Sequence, residues 1–456
     1  MYKVNKLSNG INLITVPMQG TSTATVLVMV GTGSKYENKD NNGISHFLEH
    51  MFFKGTKKRP DTMAISGELD GMGVDFNAFT GKEYTGYWIK SSREKLSKSL
   101  DILSDMLCNS KMSAAEINRE KGVIIEELNM YLDNPMIFVD EIFEQCLYGD
   151  TPAGWDTIGT RKNISGFKRK DFTDYLNGQY GANNITIVVA GDIPGGIRMK
   201  KIAGEYFQNQ ILRRRGKNFK EKEKVAENQK KPSFKIEYKK TDQAHLSLGV
   251  RTIGYAHPDR VIHKIIALIL GGSMSSRLFI NLRERQGLAY YVRTDSENYT
   301  DSGYMATKAG VPVNQAEKAI QIILNEYKKL KNIKVSNIEL KRTKDMIRGK
   351  LAIQLESSDA QADWYARQAV LGVALERVKI KGYKRPSKFK IPSNSAGRQN
   401  SKFSLVTPEE YLEKIDKVTD EDIQRVAREI FVSERLNLAV IGPFRNFRFP
   451  ISDFRF

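Results

Sequence analysis

The chain is poor in cysteine and histidine, and it lacks any long apolar run. Its two cysteines, Cys108 and Cys146, are too few for a disulfide framework and stand in no metal-ligand spacing. No stretch reaches the roughly 18 consecutive apolar residues that a membrane helix needs. The amino-terminal residues alternate like a strand and have no apolar signal-peptide core. We therefore expect a globular, cytoplasmic protein without membrane segments.

Length and charge narrow the classes further. The chain has 456 residues, more than one ordinary core accommodates, and we expect more than one domain. A formal net charge of +19 is compatible with nucleic-acid binding. Much of this charge lies in residues 213–235 and 377–402, whose polar composition is typical of solvent-exposed connections. We therefore expect no nucleic-acid partner.

Two of the five histidines lie one helical turn apart in GISHFLEHMFFKGT, residues 43–56. The apolar residues of this stretch recur at the spacing of one buried helical face, and His46, Glu49 and His50 share the opposite face. Two imidazoles at this spacing can bind one Zn²⁺, and Glu49 can take a proton from water activated by the ion. This H-x-x-E-H order favours a zinc hydrolase over a surface helix with three unrelated polar residues.

Residues at both ends of this predicted helix indicate where it starts and where it ends. Asn41 or Asn42 can cap its start. Lys54 places a cation at its end, and Gly55 supplies a C-cap glycine.

Three pairs of segments indicate an internal duplication. ATVLVMVGTG from Ala24 pairs with HLSLGVRTIG from His245 at an offset of 221, and two capped helices starting at Ser113 and Ser336 pair at 223. The strands ITIVVAG and LNLAVIG pair at 251, so an insertion of about 28 residues separates the last two landmarks. The basic segment 377–402 lies in that interval.

The duplication predicts an α+β fold of two tandem homologous domains, each a mostly antiparallel sheet flanked by helices. We expect an amino-terminal domain in residues 1–212, a linker in 213–235, and a carboxy-terminal domain in 236–456 that carries the basic insertion. At the offset of 221 the three polar residues of the first helix become Ala267, Leu270 and Gly271, which cannot bind metal. Only the first domain is therefore predicted to hold zinc.

A catalytic zinc site usually has a third protein ligand. The remaining histidines lie in the second half, and we interpret them as ordinary imidazoles. Glu120 and Glu127 are seven residues apart, so they share one helical stripe that also carries Val123, Ile124 and Tyr131. Glu127 is favoured as the ligand over Glu126, which spacing alone does not exclude, and Glu120 is predicted to orient a histidine.

The sequence HFLEHMFFKGT followed by E-x6-E, with Glu127 standing 77 residues after His50, resembles the pitrilysin-type inverted zincins. This family includes insulin-degrading enzyme and the mitochondrial processing peptidase, and the chain is most similar to its short bacterial members. The resemblance implies that His46, His50 and Glu127 are zinc ligands, that Glu49 is the general base, and that Glu120 is a supporting carboxylate.

The resemblance also implies two regions that contact substrate. Asn77 and Ala78, in the sequence NAFT, match the edge strand that pairs with the substrate backbone. Arg283 and Tyr290, in GGSMSSRLFINLRERQGLAY, match residues that donate to the substrate carbonyl. Without the family, these two are equally compatible with a helix-surface arginine and a strand tyrosine.

As a function, the resemblance implies a zinc-dependent endopeptidase that hydrolyses oligopeptides or unfolded protein segments. It further implies a clamshell in which this chain supplies one half, and we expect a homodimer. A non-catalytic peptide-binding or partner subunit of the same fold is the alternative. A nucleic-acid-binding role is favoured by charge alone.

Overall fold

The computed structural model describes residues 2–208, 219–377 and 405–445. The strands of the first half are β1 (Lys3–Lys6), β2 (Asn12–Pro17), β3 (Thr23–Val30), β4 (Asp75–Thr80), β5 (Thr85–Ser92) and β6 (Ile185–Gly191). Its helices are α1 (Ile44–Met51), α2 (Thr62–Met72), α3 (Leu96–Asn109), α4 (Ala114–Asp133), α5 (Pro135–Tyr148), α6 (Arg161–Gly166), α7 (Arg169–Gln179) and α8 (Gly196–Phe207).

The second half repeats this arrangement. Its strands are β7 (Ser233–Tyr238), β8 (Gln243–Thr252), β9 (Tyr291–Asn298), β10 (Gly303–Pro312) and β11 (Leu436–Gly442). Its helices are α9 (Arg260–Gly271), α10 (Ala316–Asn332), α11 (Asn337–Gln354), α12 (Ser358–Arg377), α13 (Pro408–Asp416) and α14 (Asp420–Ile430).

The order of the strands confirms the tandem α+β architecture. Within the described ranges, the first sheet runs β1-β2-β6-β3-β5-β4 and the second runs β7-β11-β8-β10-β9. Apart from β1, each strand of the first sheet has a counterpart at the same place in the second. Both sheets are antiparallel except for one parallel pair each, β2 with β6 and β7 with β11.

The two halves exchange one helix each. Helix α5, which belongs to the first half in sequence, packs on β8 and β11 of the second sheet. Its counterpart α12 packs on β3 and β6 of the first sheet, where Ala362, Tyr365 and Ala366 join the apolar face of those strands. Each sheet is therefore covered on one face by its own helices and on the other by a helix of the opposite half.

Sequence predictions of individual elements have mixed outcomes. The Ser113 capping signal is confirmed, because its hydroxyl accepts a hydrogen bond from the amide of Glu116 at 3.2 Å. Helix α5 was not predicted, and strand β7 begins at Ser233, inside the segment expected to be linker. The basic insertion predicted at 377–402 falls almost entirely in residues 378–404, outside the described residues.

The apolar side chains of each sheet and its helices form a separate core, and smaller clusters lie under α5 and α12. No helix in the described part of the chain is long and apolar enough to cross a bilayer.

Candidate metal centre

Helix α1 packs against strand β4 and helices α4 and α7, and its N-cap is a glycine in the left-handed conformation. Gly43 has φ of +98°, and a Cβ there would lie 2.5 Å from the carbonyl oxygen of Ile158. The buried carboxylate of Glu37 caps the helix by accepting hydrogen bonds from the amides of Gly43 and Ser45, both at 2.8 Å. The prediction that Asn41 or Asn42 caps this helix is wrong: the Asn42 side chain instead donates to Glu37.

The structure brings His46, His50 and Glu127 together. One nitrogen of each imidazole and one carboxylate oxygen all lie within 4.8 Å of one another. The Nε2 atom of His46 is 3.6 Å from one oxygen of Glu127, and the Nε2 atom of His50 is 3.4 Å from the other. Among the residues that the structure describes, no other group of histidine, cysteine and acidic side chains is this compact.

Helix α4 supplies the carboxylates of the site. Glu127 faces α1, whereas Glu126 is exposed and accepts a hydrogen bond from Asn129. Ile124 on the inner face is fully buried. Val123, which the sequence placed on the partly buried stripe, is 50% exposed, so the buried face of α4 is narrower than predicted.

Glu120 orients His50 from behind. Its carboxylate is 3% exposed and lies 3.0 Å from Nδ1 of His50, which leaves Nε2 facing Glu127. Burial lowers the pKa of His50, but hydrogen bonds to Glu120 and Glu127 outweigh it and raise the pKa to about 9. Hydrogen bonds from His46 and His50 hold the pKa of Glu127 far below its usual range.

Glu49 lies beside the histidines and is held by a residue of strand β4. The hydroxyl of Thr80 donates to Oε2 of Glu49 at 2.5 Å. Among the described residues, strand β4 is the edge strand of the first sheet and pairs only with β5. Asn77 and Ala78 lie on this edge strand, two or three residues before Thr80. The edge strand and the metal-binding residues therefore form one continuous surface.

Arg283 and Tyr290 lie in the second half and near each other. The guanidinium carbon of Arg283 is 6.0 Å from the centre of the Tyr290 ring, and Tyr290 is 74% exposed. Within the described residues, neither makes a hydrogen bond, ion pair or ring contact with the first-half site. The structure brings these two residues together but does not join them to the metal-binding residues of the same chain.

Three further residues, which sequence reasoning did not assign to the site, also contact it. Lys54 pairs with Glu120, Thr80 donates to Glu49, and Tyr131 contacts Glu127. Burial and the charge of Glu127 raise the pKa of the Tyr131 phenol. Each of the three contacts a residue with an assigned role. The direction of each side chain depends on how the helices and the edge strand pack against one another. That information is not present in sequence spacing.

The donor set fits zinc. Two imidazole nitrogens and a carboxylate are the ligands of many catalytic zinc sites, which keep a fourth position open. One nitrogen of each imidazole and one oxygen of Glu127 lie within 4.8 Å of one another, so the three side chains can reach the same ion. The corresponding helix of the second half, α9, presents buried Ala267 and Leu270 instead.

These features define a duplicated α+β protein in which one lobe is built around an inverted H-x-x-E-H helix and the corresponding helix of the second lobe lacks these ligands. Two family models match successive parts of the chain. The model described as insulinase (peptidase family M16) matches residues 13–161, and the peptidase M16 inactive domain matches residues 166–347. The chain belongs to peptidase family M16.

Several relatives extend this result along the chain. An uncharacterized zinc protease of Rickettsia felis is 32% identical over 97% of this chain and 98% of its own length. The uncharacterized zinc protease YmxG of Bacillus subtilis is 34% identical over 79% of this chain and 86% of its own length. The crystal structure of a protease from Helicobacter pylori matches with a TM-score of 0.84 at 22% identity, over 97% of this chain and 99% of that one, which shows the fold.

Proposed function

We propose that this protein is a zinc-dependent endopeptidase that cleaves oligopeptides or unfolded protein segments. The observation that carries the proposal is the convergence of His46, His50 and Glu127 within 4.8 Å, with Glu49 on the same helix face. The names of the relatives as zinc proteases and the family membership support it. The alternative, a non-catalytic partner of the same fold, has no observation in its favour at this site.

In this proposal the side chains divide the work. His46, His50 and Glu127 would hold zinc, which when bound supplies the Lewis acidity that polarises the peptide carbonyl and lowers the pKa of the attacking water. Glu49 accepts the proton of that water and passes it to the leaving amine. Thr80 holds the Glu49 carboxylate in position for both transfers.

An extended peptide is the substrate that the neighbouring surface can receive. One side of strand β4 has no partner strand within the described residues, so its amides and carbonyls can pair with a peptide backbone. Asn77 and Ala78 would make these main-chain contacts. Because such pairing is independent of side chains, it suits substrates of varied sequence.

The proposal is tested by Glu49→Gln. We expect the variant to bind about one zinc ion per chain, because the three ligands are unchanged. We expect peptide cleavage to fall by about 10²- to 10⁴-fold, because the proton acceptor is lost. Zinc content and the hydrolysis of a quenched fluorescent peptide measure the two effects.

Glu126→Gln is the matched control, because Glu126 carries the same charge on the exposed side of α4. It is expected to cleave like the unmodified protein. If the unmodified protein binds zinc and cleaves no peptide, the chain is a non-catalytic partner. Cleavage unchanged in Glu49→Gln would refute the assignment of Glu49.

We also propose that the working form is a homodimer in which Arg283 and Tyr290 of one copy serve the metal centre of the other. Two observations support this arrangement. Tyr290 is largely exposed although an arginine lies beside it, and neither residue contacts the metal-binding residues of its own chain within the described ranges. Donors from a second copy can stabilise the oxyanion of the tetrahedral intermediate.

Mixing two inactive variants tests this arrangement. Glu49→Gln and Tyr290→Phe are each expected to be strongly impaired. Random exchange of their subunits gives mixed dimers that contain one intact site, and about a quarter of the wild-type activity should return. If Tyr290 acts within its own chain, or if the protein is monomeric by light scattering, no activity returns.

A further inference from the structure

Lys54 lies just beyond the end of α1 and points back to the metal centre. Its amide donates to the carbonyl of Met51 at 3.2 Å, so the last helical turn continues to it. It stands four residues after His50, in the turn that follows the helix. Its ammonium is 2.6 Å from Oε2 of Glu120. From sequence it is only a helix-end cation, but in the structure it reaches a buried carboxylate.

Glu120 is held by a donor on each oxygen. The His50 ring lies 3.0 Å from Oε1, and the Lys54 ammonium lies 2.6 Å from Oε2. The carboxylate is 3% exposed, so water has little access to replace either donor. A buried carboxylate with one unsatisfied oxygen would turn toward another donor. Lys54 therefore fixes the direction from which Glu120 holds the imidazole.

The backbone around Lys54 allows little adjustment. Gly55 has φ of +113°, and a Cβ there would lie 2.6 Å from the carbonyl oxygen of Pro60. The carbonyl of Gly55 accepts a hydrogen bond from the amide of Lys111 at 3.0 Å, and the amide of Thr56 donates to Arg59 at 2.6 Å. This turn holds the start of the Lys54 side chain at a fixed distance from Glu120.

The two histidines differ in whether a hydrogen-bond partner holds the Nδ1 side of the ring. His50 has Glu120 and Lys54 behind its Nδ1 atom, whereas the buried Nδ1 atom of His46 has no hydrogen-bond partner in the described part of the chain. The orientation of one imidazole therefore depends on a specific ion pair. The loss of that pair should disturb the ring that it holds.

We propose that Lys54 is a positioning residue of the metal centre. It holds the Glu120 carboxylate in place. Glu120 in turn holds the His50 ring with Nε2 directed toward Glu127. The inference rests on the proposed function only for the identity of the ion, since the ion pair and the hydrogen bond are present irrespective of catalysis. Lys54 does not touch the ion or the substrate.

The test compares Lys54→Met, Lys54→Gln and Lys54→Arg with the unmodified protein. Outer-shell partners of metal ligands typically contribute about 10- to 100-fold to metal affinity. Lys54 acts one contact further out, through Glu120, so we expect Lys54→Met and Lys54→Gln to lose zinc affinity by about 10-fold, the lower end of this range, in competition with a chromophoric chelator. Lys54→Arg should restore most of it, because it keeps a cation at the carboxylate. Lys58→Met is the matched control, since Lys58 lies in the same loop and pairs with Asp101 at 2.7 Å.

Two measurements separate positioning from simple stabilisation. The melting temperature of the metal-free protein reports the contribution of Lys54 to the fold. With zinc saturating, we expect KM for a peptide to stay unchanged while kcat falls. Zinc affinity in both neutral variants equal to that of the unmodified protein would overturn the inference. So would a failure of arginine to rescue, or a loss no greater than that in Lys58→Met.

The outcomes are distinguishable from those of the proposed function. Zinc affinity is measured without a substrate, so it reports on Lys54 even if the chain cleaves no peptide. Conversely, Glu49→Gln tests catalysis while leaving the Lys54–Glu120–His50 contacts intact.

Discussion

The carboxylate of Glu49 depends on the hydroxyl of Thr80 for its position. This hydrogen bond, at 2.5 Å, joins the last residue of the edge strand to the proposed general base. Hydrogen bonds to charged groups contribute about 1.5–3 kcal/mol, which corresponds to about 10- to 100-fold in a rate if the bond acts in the transition state. We expect Thr80→Val to lower kcat by this factor in steady-state assays with zinc saturating.

Thr80→Ser is the control, because it keeps the hydroxyl and removes only a methyl group. Its kcat should remain close to that of the unmodified protein. A loss in the serine variant with none in the valine variant would mean that the methyl packing of Thr80, and not its hydrogen bond to Glu49, matters for the reaction.

At this scale, the sequence predicts residues whose geometry is local. His46, Glu49 and His50 converge because one short helix dictates it, and spacing alone identifies them. Glu127 lies on a separate helix, so spacing left Glu126 open and the family resemblance was needed. The roles of Lys54 and Thr80 depend on tertiary packing, and no local pattern predicts them.

Helix α9 is the counterpart of α1 but lacks its metal-binding side chains. It contains one buried imidazole. His263 is 1% exposed, and its Nδ1 atom has no hydrogen-bond partner in the described ranges. Burial lowers the pKa of His263 to about 4. An unfolded imidazole takes up its proton near pH 6.5, so between these values the unfolded state binds one more proton than the folded state. The free energy of unfolding therefore falls as the pH drops from 6.5 toward 4.

We expect this single group to remove about 2 kcal/mol of stability between pH 7.5 and pH 5. In His263→Leu that part of the loss should disappear, because leucine has no proton to take up. Urea unfolding of both proteins at the two pH values measures the difference. If both proteins lose the same free energy, the imidazole of His263 is solvated in the folded state.

Helix α5 shows why an element can escape sequence reasoning. Helix α4 ends at Asp133, directly before Asn134-Pro135. Proline is also favoured in the first turn of a helix, and here Asn134 caps the new helix by accepting from the amide of Met136 at 3.2 Å. The same dipeptide thus ends one helix and begins the next. The apolar face of α5 is explained only by the opposite sheet, which a local pattern does not contain.

On the scale of the whole molecule, buried ion pairs connect the two halves in addition to the exchanged helices α5 and α12. Lys35 bridges Glu83 and Asp301, at 3.0 and 2.6 Å, and Lys222 contacts the same two carboxylates at 3.1 and 2.6 Å. These residues come from both halves and from the connection between them. Burial raises the pKa of Asp301, but the two lysines outweigh it and lower the pKa to about 2. The two lysines therefore stabilise the ionised carboxylate of Asp301.

The exchange of α5 and α12 predicts that the two halves unfold as one unit. If either half unfolded alone, the helix that covers the other sheet would be removed and a core face would be exposed to water. Phe172 is a fully buried residue of the first-half core, 4.9 Å from Phe47 between ring centres. Phe172→Ala should cost about 3–5 kcal/mol through lost burial and the cavity left behind.

Because of the exchange, we expect this loss to appear equally in both sheets. Amide hydrogen exchange, followed by mass spectrometry under conditions where only global opening permits exchange, should show the same loss of protection in β3 and in β10. Ile338→Ala, at a side chain that is 81% exposed, is the control and should leave both strands unchanged. A loss of protection confined to β3 would mean that the halves open independently. The exchanged helices would then pack together without coupling the stability of the two cores.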